Sequence, residues 1–241
     1  MNLLTLLPFI IVIVSMSSCT NGFIKRNISS LEEYTTDTLC TEIKNQYKTL
    51  GSPTKMLLVQ THSSGDSNSW SAFNAKAQLM EKNASGHWEE VGEKFPMVVG
   101  KNGLALGDKV SQFASVLSAP IKKEGDGKTP LGLHLFGKKF GFEREYDNDS
   151  YYRQITSSTH CVDDVKSKHY NKVVDLGSNK SIIADWNSSE KMSSVKLYEL
   201  GAEINYKSNA EKVAGSCIFL HLWRDSNKGT AGCIATSKPN V

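Results

Sequence analysis

The chain has 241 residues, which is enough for one sizeable domain or two small ones with a packed core. Apolar residues make up 39% of the sequence and charged residues 22%, a balance that excludes a highly charged disordered chain. The net charge of +3 is too weak and too scattered to indicate a nucleic-acid-binding protein, so we expect no nucleic-acid partner.

The first apolar run, residues 3–14, is typical of an export signal. It is too short to span a bilayer but suits the hydrophobic segment of a signal peptide. Small residues then precede Cys19, as in a bacterial lipobox, although no Lys or Arg precedes the run. We therefore expect a signal peptide over residues 1–18, export to the periplasm or cell envelope, and a lipid on Cys19 as the membrane tether. An exported chain without the lipid and an uncleaved, buried helix are the alternatives.

Residues 19–54 are expected to form a polar tether and then a helix. Ser30 and Glu33 make a capping-box pattern that would open the helix. Apolar residues recur at helical spacing as far as Leu50, and Pro53 ends the pattern. We expect this N-terminal helix to pack on the domain without a catalytic role.

From residue 55 to the C terminus, short apolar segments alternate with Gly, Asn, Ser and Pro. This texture predicts a mostly β domain with a few short helices. The segment 104–117 fits either a strand or a short helix. Strands are predicted at residues 56–60, 75–81, 95–99, 172–176, 196–206 and 217–223.

Five cysteines, at positions 19, 40, 161, 217 and 233, are expected to pair in part if the chain is exported. Cys161 and Cys217 are the preferred disulfide because both flank the densest motif regions, although spacing alone leaves the connectivity open. A zinc site is the alternative, but the spacing lacks the close ligand pairs typical of structural zinc, so we expect no metal. Its ligands would be Cys217, His221 and Cys233, with His160, Cys161 or His169 as the fourth.

The C-terminal segment carries the pattern that points to chemistry. A strand over 217–223 would bring His221 to its end, and Gly232 permits a close backbone approach just before Cys233. A histidine that takes the thiol proton makes cysteine a nucleophile, and backbone N–H groups near Gly232 could hold an acyl oxygen. The pattern therefore predicts a cysteine acyl-transfer site. A buried histidine and a buried structural cysteine are the alternative.

This pattern resembles the signature of the YkuD-type L,D-transpeptidases, in which a strand histidine and a loop precede Ser/Thr-x-Gly-Cys. The matching residues are His221 and GTAGC at 229–233. Upstream, KEGDGKTPLG at 123–132 resembles the Gly-rich TPxG segment of the same domain. Residues 161–164, 170–171 and 185–192 resemble a divergent branch of that superfamily. The resemblance covers roughly residue 56 to the C terminus.

The resemblance implies a sandwich-like β catalytic domain over residues 55–241 that acts on peptidoglycan stem peptides without a metal or organic cofactor. Cys233 would attack the carbonyl before a terminal D-residue and form a thioester, with His221 as the general base. The Leu222 carbonyl would orient the imidazole, and the N–H groups of Gly232 and Cys233 would hold the oxyanion. A side-chain amine of a second stem would complete transpeptidation, whereas water would give carboxypeptidase activity.

Some residues depart from the family pattern. Ala231 stands where the family has a histidine and Ala235 where it has an arginine, so we expect different donor and acceptor sites. Only eight residues follow Cys233, which suggests a C-terminal truncation. A hydrolase on the same scaffold and a non-catalytic wall-binding protein are the competing functions.

Several further side chains are candidates for contact with substrate, each with a surface or core role as the alternative. Expected substrate-binding residues are Thr230, Trp223, Lys123, Asp126 and Thr129. A carboxylate set that could hold an amine comprises Asp163, Asp164, Asp185 and Glu190.

Overall fold

The computed structural model describes residues 53–61, 69–115, 118–144, 150–178, 181–206 and 214–241, together with the strand at 9–14. These residues are mostly β, as predicted, and include no helix of seven or more residues. The helix expected within 19–54, Cys19 and Cys40 lie outside the described residues. In the part of the chain that the structure describes, no helix is long and apolar enough to cross a membrane.

The described residues form thirteen strands in two sheets. Short 3₁₀ segments connect some of them, including Asp108–Phe113 and Lys196–Glu199. The strands are β1 (Phe9–Val14), β2 (Lys55–Thr61), β3 (Asn74–Lys82), β4 (Trp88–Val98), β5 (Leu104–Leu106), β6 (Thr129–Gly141), β7 (Tyr152–Gln154), β8 (Thr159–Val162), β9 (Val173–Asp175), β10 (Ser189–Lys191), β11 (Leu200–Ile204), β12 (Phe219–Leu222) and β13 (Ile234–Thr236).

The large sheet curls until its ends meet. Its order is β1-β2-β3-β4-β13-β12-β11-β6-β5, with β7 attached to β6. β1 pairs parallel with β2 and antiparallel with β6, which closes a ring of eight strands. The apolar run expected as an export signal thus contributes a strand to this sheet. The small sheet has the order β10-β8-β9.

Alternating burial explains the strands that the sequence predicted. In β2, Leu57 and Val59 are fully buried while their neighbours are partly exposed, and Ala75 and Ala77 repeat this alternation in β3. Side chains two apart on a strand share a face, so one face of each strand lines the core. The predicted segments 56–60 and 75–81 are therefore confirmed within β2 and β3.

Other predicted boundaries were wrong. Residues 196–206 begin with a 3₁₀ segment, and only Leu200–Ile204 is a strand. Residues 217–223 contain the shorter strand β12, because Cys217 has φ of 55°, which no strand accommodates. The ambiguous segment 104–117 holds β5 followed by a 3₁₀ turn.

The long strand β6 was missed. Pro130 and Gly132 read as turn residues in the sequence, yet both lie within this strand. Proline is tolerated because it is the second residue of the strand, where a missing N–H donor costs little. β6 pairs with β1, β5, β7 and β11, so the segment that looked like a loop is a central support of the sheet.

Two apolar clusters stabilise the fold. The main cluster is formed by buried side chains that include Leu57, Val59, Met97, Leu104 and Leu220. The second cluster lies on another part of the sheet and contains two of the cysteines. Its buried members are Phe140, Ile155, Cys161, Met192, Tyr198, Phe219 and Cys233.

Candidate active site

His221 lies on β12, between Gly201 of β11 and Ala235 of β13. Its Nδ1 is 2.7 Å from the Leu222 carbonyl oxygen. A carbonyl can only accept, so Nδ1 carries the proton and Nε2 is the basic nitrogen. The side chain is 6% exposed, and burial lowers its pKa to about 4, although the bond to Leu222 acts in the opposite direction. His221 is therefore a neutral imidazole at neutral pH, able to accept a proton.

Cys233 immediately precedes β13, and its thiol is the free cysteine of the described residues. The sulfur lies 3.4 Å from the Phe219 nitrogen and 3.4 Å from the Cys217 carbonyl oxygen. Burial raises the pKa of this thiol to about 12, with the negative charge of Glu190 adding to the effect. The resting site therefore holds a neutral thiol and a neutral imidazole, not an ion pair.

His221 and Cys233 have Tyr198 as a common neighbour. Phe219 and His221 are two residues apart on β12, so their side chains point the same way. The Tyr198 ring meets both edge-on, with centroid separations of 5.5 Å to Phe219 and 5.2 Å to His221. Tyr198 and Cys233 belong to the same buried cluster, and the Tyr198 hydroxyl acts to lower the pKa of the Cys233 thiol. Tyr198 is therefore a neighbour of both His221 and Cys233.

Thr129 and Thr230 hold the loop that carries Cys233. Thr129 Oγ1 accepts the Gly100 N–H at 2.8 Å and lies 2.8 Å from the Gly232 carbonyl and 3.0 Å from the Cys233 carbonyl. Thr230 donates to the Cys233 carbonyl at 2.6 Å. Thr129 is fully buried, so it positions the loop, whereas the sequence suggested contact with substrate.

The N–H of Gly232 is engaged within the same loop. It donates to Thr230 Oγ1 at 3.1 Å, whereas the resemblance implied that it faces an acyl oxygen. Gly232 has φ of +152°, a conformation that favours glycine. This residue shapes the turn that presents Cys233.

Two more glycines let three backbone segments meet at this loop. A Cβ on Gly229 would lie 2.4 Å from the Lys101 Cα, and one on Gly100 would lie 2.4 Å from the Gly127 oxygen. The Lys101 N–H also donates to the Thr230 carbonyl at 2.7 Å. The glycine-rich texture of both motifs therefore reflects close packing of their backbones around Cys233.

Asp126 stabilises the turn that carries the first motif. Its carboxylate accepts the Lys123 N–H at 2.8 Å, the Lys128 N–H at 2.9 Å and the Lys122 ammonium at 2.5 Å. Lys122 is buried, whereas Lys123 is exposed.

Trp223 is half-buried just past β12, and its backbone N–H donates to the Thr236 carbonyl at 2.9 Å. Of the expected substrate contacts, Lys123 is exposed, Trp223, Asp126 and Thr230 are half-buried, and Thr129 is fully buried.

The four acids proposed as one carboxylate set bond to different side chains, and of these Asp163 lies near enough to Glu190 to affect its pKa. Asp163 bonds to Ser188, Asp164 to Asn187 and Asp185 to Ser167. Hydrogen bonds lower the pKa values of Asp164 and Asp185, as is usual for carboxylates that cap turns.

Glu190 is the acid that reaches the site. It lies on β10 and accepts the Tyr198 hydroxyl at 2.7 Å. Burial raises its pKa, the Tyr198 bond opposes this effect, and the charge of Asp163 adds to it.

Cys161 and Cys217 form a disulfide, the pair preferred from the sequence. It joins β8 to the segment that leads into β12, and Asn171 Oδ1 accepts the Cys217 N–H at 2.9 Å. The disulfide removes both sulfurs from the zinc site considered above. The described residues contain no group of three or more His, Cys, Asp or Glu side chains arranged to hold a metal ion.

Tyr198 is the site residue that the sequence did not indicate. An aromatic residue inside a segment predicted to be a strand is indistinguishable from an ordinary core side chain. Its contact with His221 depends on a 3₁₀ turn that places it beside β12.

Comparison of the chain with family models, curated proteins and solved structures gives no match.

Proposed function

We propose that this protein is an exported cysteine acyltransferase of the YkuD-type L,D-transpeptidase kind, acting on peptidoglycan stem peptides. The observation that supports the proposal is a buried free thiol, Cys233, and a neutral His221, both neighbours of Tyr198, with the His221 Nδ1 bonded to the Leu222 carbonyl. The sequence resemblance supplies the substrate class. Export and a lipid tether on Cys19 belong to the same proposal.

Cys233 Sγ attacks the carbonyl that precedes the terminal D-residue of a tetrapeptide stem, and its proton passes to His221 Nε2 in the same step. The product of this step is a tetrahedral oxyanion. His221 returns the proton to the departing amine, the C–N bond breaks, and a thioester remains on Cys233. The amine of a second stem, deprotonated by His221, attacks the thioester and regenerates the thiol.

The protonation states have a consequence for the timing of these steps. A thiol with pKa near 12 beside an imidazole with pKa near 4 does not ionise spontaneously at neutral pH. Proton transfer therefore accompanies attack on the bound substrate. The thiol is neutral before substrate binds. Exclusion of water by bound substrate therefore removes the hydration of no charged group at the sulfur.

The test is incubation of the purified protein with a tetrapeptide muropeptide, followed by intact-mass spectrometry and product analysis. We expect an acyl adduct on Cys233, loss of the terminal D-residue and cross-linked dimers. Cys233→Ala and His221→Gln should abolish these products. The control is His160→Gln, because His160 is a half-buried strand histidine bonded to Ser189 at 3.0 Å.

Other outcomes would change the proposal in defined ways. Adduct with tripeptide alone, even when an amine acceptor is supplied, would identify a carboxypeptidase. A folded wild-type protein that gives neither adduct nor product would overturn acyl transfer on this substrate. Retained binding to sacculi in that case would support the wall-binding alternative.

A further inference from the structure

Tyr198 and Glu190 form a buried polar pair inside an otherwise apolar cluster. The Tyr198 hydroxyl donates to Glu190 Oε2 at 2.7 Å, and Tyr198 is only 4% exposed. Phe140 and Phe219 meet the Tyr198 ring edge-on, with centroid separations of 5.6 Å and 5.5 Å. A buried carboxyl group in such surroundings is costly unless it is hydrogen-bonded. Replacing a buried polar pair by well-packed apolar side chains often costs little stability. The presence of this pair therefore calls for a reason other than stability.

The pair lies directly beside the proposed nucleophile and base. The ring of Tyr198 packs edge-on against the His221 imidazole at 5.2 Å, which limits the orientations of that ring. Tyr198 and Cys233 belong to the same buried cluster, and the Tyr198 hydroxyl lowers the pKa of the Cys233 thiol, against the larger effect of burial. A single hydroxyl hydrogen therefore has two acceptors, the Glu190 carboxylate and the sulfur once it has lost its proton.

We infer that Tyr198 is a positioning residue of the proposed acyl transfer, whose hydroxyl turns from Glu190 to the Cys233 sulfur when the thiolate forms. Glu190 competes for that hydrogen and so holds the resting thiol in its protonated form. No bond is made or broken in this step, since only the hydroxyl rotates about its C–O bond. The inference rests on the proposed function for its purpose, but its test needs no peptidoglycan substrate.

The charges that face the sulfur come from several elements. Glu190 on β10 opposes ionisation of the thiol, whereas Tyr198 and the ammonium of Lys122 favour it. Asp163 adds negative charge near Glu190, and His221 faces the same cluster from β12. Burial raises the pKa of the Tyr198 hydroxyl, which therefore stays protonated and able to donate.

The experiment measures the rate of alkylation of Cys233 by iodoacetamide between pH 6 and pH 10. For a thiol of raised pKa, the thiolate fraction rises about tenfold with each pH unit over this range. Peptide-level mass spectrometry isolates the signal of the Cys233 peptide. We expect Glu190→Gln to accelerate alkylation about tenfold, because it removes the competing charge. Tyr198→Phe, made in the Glu190→Gln background, should slow it about tenfold relative to that background, because the thiolate loses a donor.

Tyr170→Phe is the matched control. Tyr170 is equally buried and donates to Glu124 Oε2 at 2.6 Å, so it repeats the tyrosine–glutamate bond with a different carboxylate. Its removal should leave the pH profile of Cys233 unchanged. A merely structural role of Tyr198 would move stability in both variants without shifting that profile.

The inference is overturned if Tyr198→Phe matches Tyr170→Phe at every pH, or if Glu190→Gln slows alkylation. Circular dichroism and a thermal melt establish that each variant folds. If the Tyr198 variant does not fold, Glu190→Gln decides alone, because it preserves the shape of the pair. Wild-type protein that fails to turn over muropeptides would refute the proposed function and leave this result interpretable.

Discussion

At the scale of the residue, Thr129 connects two motifs that lie far apart in the sequence. Its hydroxyl joins the Gly100 N–H to the carbonyls of Gly232 and Cys233. We expect Thr129→Val to reduce the free energy of unfolding by about 1–3 kcal/mol, because a buried donor and buried acceptors lose their partner. Urea unfolding measures this loss, and muropeptide turnover should fall with it as the Cys233 loop loosens.

Thr129→Ser is the matched variant for this prediction. Serine keeps the hydroxyl and loses only a methyl group, so most of the stability and turnover should return. A valine variant as stable as the serine variant would show that packing, not hydrogen bonding, determines the position of the Cys233 loop.

At the scale of the element, the disulfide ties the small sheet to the strand that carries His221. Cys161 on β8 and Cys217 before β12 are separated by 56 residues in the sequence. Closing a loop of that length restricts the unfolded chain, and we expect its loss to cost about 4 kcal/mol. Urea unfolding of Cys161→Ala/Cys217→Ala, compared with wild type under non-reducing conditions, measures this cost.

A reducing agent provides the control for the disulfide. It should destabilise the wild type toward the level of the double variant and leave the double variant unchanged. A loss below about 1 kcal/mol would mean that the packing of the second cluster, not the covalent link, holds β8 against the site.

At the scale of the whole molecule, His221 links stability to pH. Its pKa in the folded protein is about 4, below the ordinary value of 6.5, so the unfolded chain binds more protons between these pH values. Stability therefore falls as pH drops from 7 toward 4. We expect His221 to account for about 3 kcal/mol of that fall.

Thermal or urea unfolding at several pH values measures the effect as a difference between variants. His221→Gln should lose less stability than wild type over this window, because glutamine does not titrate. His87→Gln alters an exposed histidine and should follow the wild-type curve. Parallel curves for wild type and His221→Gln would contradict burial of an uncharged imidazole.

The sequence by itself determined the β-rich character of the chain and the placement of a strand histidine twelve residues before the cysteine of a Gly-Cys turn. Both are local properties. Alternating burial in β2 and β3 is legible as a period of two, and His221, Gly232 and Cys233 lie within one short stretch. The family resemblance implied the Leu222 carbonyl as partner of the imidazole, and the structure has that bond.

Only the tertiary structure decided the extent of β6, the hydrogen bonds of Thr129 and the contacts of Tyr198. Pro130 and Gly132 have turn-forming propensities, but pairing with neighbouring strands outweighs them. Thr129 is more than a hundred positions from Gly232, and nothing in the composition of either segment encodes their hydrogen bond. Such contacts form when burial of the apolar core brings distant segments together. Which segments meet depends on the sequence of the whole chain and not on either segment alone.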